Sequence, residues 1–244
     1  MKKRRIKYTL VICFTVLFMI VIGGVTWLNQ TYKPTEQLVE LVSEDQYSKI
    51  DDFYVFEPKT ELNGVGIVLY PGALVEPLSY AYYANELSKR GYLVAIAEVN
   101  LNLSIVDNEK ASQFINKHEE IDSWYVGGHS MGGVSATTYA SNHLDEIDGV
   151  ILLGSYPASS TDLSTTDLNV LSLYAEFDGL STEEKIFNKA KNLPTTTVYT
   201  KISGGNHAQF GIYGDQSGDL EATISVVEQQ NQMLTYTLDF LKEY

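Results

Sequence analysis

One seven-residue stretch, Gly127-Gly128-His129-Ser130-Met131-Gly132-Gly133, constrains this chain more than any other. It sets a serine among glycines where a strand-like run gives way to a helix-like one. Upstream, Ser123-Trp124-Tyr125-Val126 is aromatic and β-branched, as a buried strand requires; downstream, Val134-Ser135-Ala136-Thr137-Thr138-Tyr139-Ala140 can continue as a helix. A sharp strand-to-helix turn crowds any Cβ near it, and glycine relieves that crowding. In the pattern Gly128-x-Ser130-x-Gly132 the serine sits on the turn itself, its hydroxyl lifted above the sheet, while the following helix aims its N-terminal N–H groups at developing negative charge.

The rest of the chain alternates in the same way. Phe53-Tyr54-Val55-Phe56 reads as an early strand, and residues 64–70 as a second, ending at Pro71-Gly72. Residues 78–90 read as a helix closing on Gly91, with Lys89 and Arg90 in its last turn. Residues 92–97 form an apolar run of the kind found in central parallel strands. A helix is predicted over 105–120, then the Ser130 strand and its helix, then strands at 149–154, 169–175 and 195–200. A helix near 182–192 separates the last two, and a long helix over 220–242 closes the chain. Repeated strand–helix units imply a mostly parallel sheet covered on both faces, with ligands beyond the carboxyl ends of its strands.

A serine hydroxyl becomes a good nucleophile only when a base takes its proton and an acid holds that base in the right tautomer. Of the four histidines, His118 lies in a polar stretch, His129 is the variable residue of the turn and His143 sits near a helix end. All three read as surface or packing residues. His207 stands in Ser203-Gly204-Gly205-Asn206-His207-Ala208, a glycine-rich loop directly after the last predicted strand. Asp178 follows the strand 169–175 and adjoins Gly179, where a loop should begin. Glu176 competes with it, because period-two alternation puts both carboxylates on one face if the strand continues.

In order and position, Ser130, Asp178 and His207 resemble the triad of the α/β-hydrolase superfamily, over approximately residues 52–242. The resemblance implies an α/β-hydrolase fold, with a mostly parallel central sheet flanked by helices on both faces. It also implies an oxyanion hole formed by the backbone N–H groups of Met131 and Ala73. Tyr70-Pro71-Gly72-Ala73 stands where many relatives carry His-Gly-x, a departure that leaves the Ala73 donor in place but its aim open. The chain also looks like the compact branch that includes dienelactone hydrolases, which use cysteine where Ser130 stands, so their substrate does not transfer. Only about a dozen polar residues separate the strand ending at Gly154 from that near Asn169, where many relatives insert a cap. An open cleft is expected, with Glu76 and Tyr213 as possible substrate contacts; ordinary loop packing is the equal alternative for both.

The first thirty residues differ in kind. Lys2, Lys3, Arg4, Arg5 and Lys7 precede an uncharged run from Tyr8 to Leu28, about the 20 residues a membrane-crossing helix needs and longer than the apolar part of a cleaved signal, about 7–15 residues. The positive charges should keep the N-terminus in the cytoplasm. The expected organisation is a basic tail (1–7), a transmembrane signal-anchor (8–28), a stalk or first helix (29–50) and an extracytoplasmic catalytic domain (51–244). Secretion after signal cleavage is the alternative. Cys13, the single cysteine, lies inside the apolar run, so the outer part has no internal disulfide. The net charge is −14; without the five N-terminal cations, 12 basic residues face 31 acidic ones, or −19. Such a surface repels nucleic acid, and its simplest explanation is solubility.

Neither a metal-binding pattern nor a dinucleotide fingerprint occurs, so no metal and no cofactor are expected. The leading expectation is a membrane-anchored serine hydrolase acting on a small or medium carboxylic ester through an acyl-Ser130 intermediate. Acyl transfer and amide or peptide hydrolysis would use the same residues, and a catalytically silent surface binding protein would keep only the fold. Oligomeric state is not set by these residues.

Overall fold

The computed structural model describes residues 12–19, 23, 24, 26 and 30–243. The chain divides into two compact units, Met1–Thr31 and Tyr32–Tyr244. In the first, residues 12–19 are helical, with Ile12, Phe14, Leu17, Phe18 and Met19 exposed. Among the described residues no helix is long and apolar enough to cross a membrane. The basic tail over 1–7 lies wholly outside those residues, as do 10 of the 21 residues of the expected span over 8–28.

The second unit is built on an eight-stranded sheet. Its strands are β1 (Ser48–Ile50), β2 (Phe53–Phe56), β3 (Val65–Tyr70), β4 (Leu93–Ala97), β5 (Ser123–His129), β6 (Gly149–Leu153), β7 (Asn169–Ala175) and β8 (Val198–Ile202), in the spatial order β1-β2-β4-β3-β5-β6-β7-β8. From β4 to β8 every neighbouring pair is parallel, and β1 and β2 extend one edge antiparallel. The helices are α1 (Glu36–Leu41), α2 (Ala81–Ser88), the single turn α3 (Ser112–Ile115), α4 (Met131–Asn142), α5 (Glu183–Lys189) and α6 (Val226–Glu243).

Strand alternation sorts the core into two halves. Ile67, Leu69, Val94, Ile96, Tyr125, Ile151, Leu153, Leu171 and Leu173 point to one face, where they meet Tyr83, Leu87, Met233 and Phe240 of α2 and α6. Val68, Leu93, Ala95, Trp124, Val126, Val150 and Leu152 point to the other, under Phe114, Ala136, Tyr139 and Ala140 of α3 and α4. Burial on both faces explains why these strands read as continuous apolar runs.

The chain leaves β3 toward β4 on one side, while β5 lies against its other side, with Tyr70 opposite Gly128. That reversal opens a crevice at the carboxyl ends of β3 and β5, the place where open α/β sheets take ligands. Loop 71–76 and Ser130 therefore rise side by side.

Three expectations are corrected. The helix predicted over 105–120 is broken into two 3-10 turns, Ser104–Val106 and Asn108–Ala111, and the single turn α3. Here Asp107 folds back to accept from the Asn100 N–H at 3.2 Å and its amide at 3.0 Å, and Asn102 gives its carbonyl to Leu74 N–H at 2.7 Å. The last strand runs 198–202 rather than 195–200, because a turn from Pro194 to Thr197 occupies its predicted start. The closing helix begins at Val226 rather than 220, since residues 220–224 are held to the loop after β8. Leu220 accepts from the Asn206 amide at 2.7 Å, and Thr223 N–H donates to Gly204 at 2.8 Å. The stretch expected as a stalk or first helix carries α1, and its backbone joins the second unit: Tyr32 N–H donates to Leu74 O, Tyr32 O accepts from Glu76 N–H, and β1 pairs with β2.

Candidate active site

Ser130 follows β5 directly and adopts φ 53°, ψ −119°, a conformation that non-glycine residues occupy only at a cost of about 1–3 kcal/mol. Its neighbours hold it there. Its N–H donates to Leu153 O, and Ser155 Oγ donates to its carbonyl at 2.6 Å. A Cβ on Gly132 would lie 2.0 Å from the Tyr70 carbonyl oxygen, so the first turn of α4 can lie against the end of β3 only with glycine at that position.

Three residues beyond β7, the chain turns and buries Asp178, while His207 stands in the loop after β8. His207 Nδ1 and Asp178 Oδ2 are 2.7 Å apart, with both side chains wholly excluded from solvent. The other carboxylate oxygen accepts from Leu180 N–H at 2.8 Å and from Ser181 N–H. Glu176, the competing acid, is exposed and accepts from Gly204 N–H at 2.9 Å. The choice between the two carboxylates that alternation left open is thus made by the turn after Ala175.

His207 Nε2 is buried and has no hydrogen-bond partner, Ser130 Oγ included. The ring of His129, one residue before Ser130, packs 4.4 Å from the His207 ring. In unliganded sites such catalytic contacts are commonly long and tighten around substrate. Among the described residues, the Met131 and Ala73 N–H groups donate to no protein acceptor, and both residues are half-buried. The Gly72 N–H, in contrast, is already bound to Tyr80 Oη at 3.0 Å.

Glu76 is half-exposed, 3.7 Å from Lys33 Nζ. Tyr213 is 5% exposed; its hydroxyl donates to Gln216 at 2.8 Å and its ring packs on Tyr32 at 5.5 Å. Burial pushes the Tyr213 phenol well above its ordinary pKa, so it stays neutral. These contacts give Tyr213 a packing position beside the histidine loop.

The structure also brings in residues that the sequence did not single out. Asp219 accepts from Gly179 N–H at 3.0 Å and from Ala208 N–H at 2.8 Å, clamping the residue after Asp178 to the residue after His207. Gln229 of α6, fully buried, exchanges two 2.9 Å hydrogen bonds with the backbone of Asn206. His129 Nδ1 and Tyr80 Oη share a hydrogen bond at 2.9 Å. Each partner is distant in sequence, and single polar residues carry no periodic signal that could have announced them.

The sequence matches the alpha/beta hydrolase family over residues 66–231. Solved structures share the fold at low identity. A predicted CIB-like hydrolase from Thermoplasma acidophilum is 18% identical, with a TM-score of 0.60 over 81% of this chain and 97% of its own. The alpha/beta hydrolase enzyme MGS-MChE2, from a lagoon-sediment metagenome, is 13% identical, with a TM-score of 0.62 over 81% and 98%. Est1E from Butyrivibrio proteoclasticus is 14% identical, with a TM-score of 0.57 over 80% and 98%. Comparison with curated proteins gave no match. With the matched region covering most of the chain and the sheet order and strained serine turn in place, this protein belongs to the alpha/beta hydrolase family.

Proposed function

We propose that the protein is a serine hydrolase that cleaves a small or medium carboxylic ester through an acyl-Ser130 intermediate. The observation that carries this reading is the buried His207–Asp178 contact, with His207 Nε2 left without a partner and the His207 ring 4.4 Å from that of His129, the residue before the strained Ser130. With Asp178 accepting Nδ1–H, the free Nε2 is the base. Ser130 Oγ attacks the ester carbonyl carbon as its proton passes to Nε2, and the negative oxygen of the tetrahedral intermediate is held by Met131 and Ala73 N–H. Collapse breaks the bond to the alcohol oxygen, which takes the proton from His207. Water then attacks the acyl-enzyme, giving its proton to His207, and the acid leaves as Ser130 recovers that proton. Losing one oxyanion donor would cost about 2.7–4 kcal/mol of transition-state stabilisation.

The protein is further proposed to be anchored by residues 8–28 with the catalytic unit outside the cell. The five N-terminal cations and the exposed apolar side chains on the helical residues 12–19 support that placement. Protease added to intact cells should then digest the catalytic unit, whereas protection of that unit would overturn the topology.

Incubating the full-length chain in detergent with a fluorophosphonate and measuring intact mass tests the chemistry. One adduct on wild type, and none on Ser130→Ala or His207→Ala, is the expected result. A folded wild type that takes no adduct would overturn it.

A further inference from the structure

His129 occupies the variable position of the serine turn, yet it is 1% exposed and surrounded by the parts of the site. It follows Tyr125 and Gly127 on one face of β5, the face on which Tyr80, Phe210 and Tyr213 pack. Its ring lies 4.4 Å from that of His207, stacks on Phe210 at 5.7 Å and lies 6.3 Å from Tyr213.

The hydrogen bonds around it fix its proton. A backbone N–H can only donate, so Tyr80 Oη accepts from Gly72 at 3.0 Å; Tyr80 is buried and, among the described residues, His129 Nδ1 at 2.9 Å is the acceptor within reach of its single hydrogen. Nδ1 is therefore the acceptor, and the neutral ring carries its proton on Nε2. Nε2 itself is buried and has no hydrogen-bond partner among the described residues. Burial, and then the neighbouring His207, hold the His129 pKa well below the ordinary imidazole value. The titratable groups that face it are Tyr80, Tyr213 and His207, with Asp178 behind His207.

We propose that His129 is a positioning residue that, as an uncharged Nε2–H tautomer, ties the Gly72–Ala73 loop through Tyr80 to the back of the His207 ring. This rests on the serine-hydrolase reading above. Gly72 precedes the proposed donor Ala73, and His129 precedes the nucleophile. One chain of hydrogen bonds and ring contacts thus connects oxyanion loop, nucleophile and base. An uncharged ring is required there, since a second cation beside His207 would oppose the imidazolium that forms during acyl transfer. Gly72 keeps the chain short: a Cβ there would lie 2.9 Å from His129 Nδ1 and 3.1 Å from Tyr80 Oη.

The test has two arms, both on the full-length chain. Long-range proton–nitrogen spectra of Ser130→Ala, which needs no activity, should show His129 with a bare Nδ1 and a protonated Nε2 throughout about pH 5–8. A His129 that titrates in that range, or carries its proton on Nδ1, overturns the proposal. In the second arm, Tyr80→Phe and His129→Phe should each slow fluorophosphonate labelling about tenfold, the scale of one buried hydrogen bond. The double variant should be no slower than either, and His129→Asn, which restores an acceptor near Nδ1, should recover most of the rate. Unchanged rates, or independent effects that multiply to about a hundredfold, overturn it. Tyr80→Phe removes only one oxygen and keeps the test decisive if His129→Phe does not fold. A wild type that never labels would overturn the reaction assignment instead, and the tautomer measurement would still decide the hydrogen-bond chain.

Discussion

His207 Nδ1 lies 2.7 Å from Asp178 Oδ2, and neither side chain is reached by solvent. A carboxylate so placed accepts the Nδ1 proton and leaves Nε2, which has no partner, as an acceptor. Asp178→Asn, which can present an amide N–H and force the other tautomer, should lower kcat about 10⁴-fold with little change in fold. Glu176→Gln should keep near wild-type activity, because its contact with Gly204 N–H needs only an acceptor. Comparing kcat of the two variants, alongside their circular dichroism, checks both statements.

The strain at Ser130 should be measurable as stability. At an ordinary position glycine is less stable than alanine by about 0.4–1 kcal/mol. At φ 53° alanine carries a backbone cost that glycine does not. Urea denaturation should therefore find Ser130→Gly at least as stable as Ser130→Ala. The reverse order, by about 1 kcal/mol, would mean that the turn is unstrained. Gly132→Ala should be destabilised by about 3 kcal/mol or more, since its Cβ meets a backbone carbonyl with little room to move.

Asp219 joins the acid loop to the base loop through two backbone N–H groups. Asp219→Ala leaves both donors unpaired, and the cost of a buried unpaired donor, about 1–3 kcal/mol, sets the upper limit for each of these part-buried groups. The expected outcome is a lower Tm and, at temperatures where the variant is still folded, a lower kcat with KM less affected. Unchanged kcat in the folded variant would show that the clamp serves stability alone.

His143 gives the protein a pH-dependent element away from the site. Burial lowers its pKa, but Glu109 at 2.6 Å and Glu146 at 3.5 Å outweigh burial, so the folded value is raised above the unfolded one. A raised value means that its stabilisation is complete below about pH 6.5 and fades as pH climbs through the folded pKa. His143 is half-buried but both glutamates are exposed, which limits the effect to a Tm change on the order of 1–2 °C. Thermal scans of wild type and His143→Gln between pH 6 and 8 should converge as pH rises; parallel curves would rule this contribution out.

The α/β architecture, the Ser130 turn and the loop that carries His207 were legible along the chain, because apolar runs, glycines and a loop histidine are local signals. Val68-Leu69-Tyr70 and Ile151-Leu152-Leu153 announce buried strands by themselves, and the Gly128-x-Ser130-x-Gly132 turn announces its own geometry. What tertiary structure alone decided is which polar groups meet. Asp178 and Glu176 are equivalent by alternation, and only the turn after Ala175 sends one inward to His207 and the other outward to Gly204. His129, Asp219 and Gln229 look like ordinary polar residues until the sheet order brings Tyr80, Ala208 and Asn206 beside them. Hydrophobic periodicity is written in neighbours three or four residues apart. A hydrogen bond between residues 11 to 49 positions apart leaves no period, so it exists only once the fold has placed both ends.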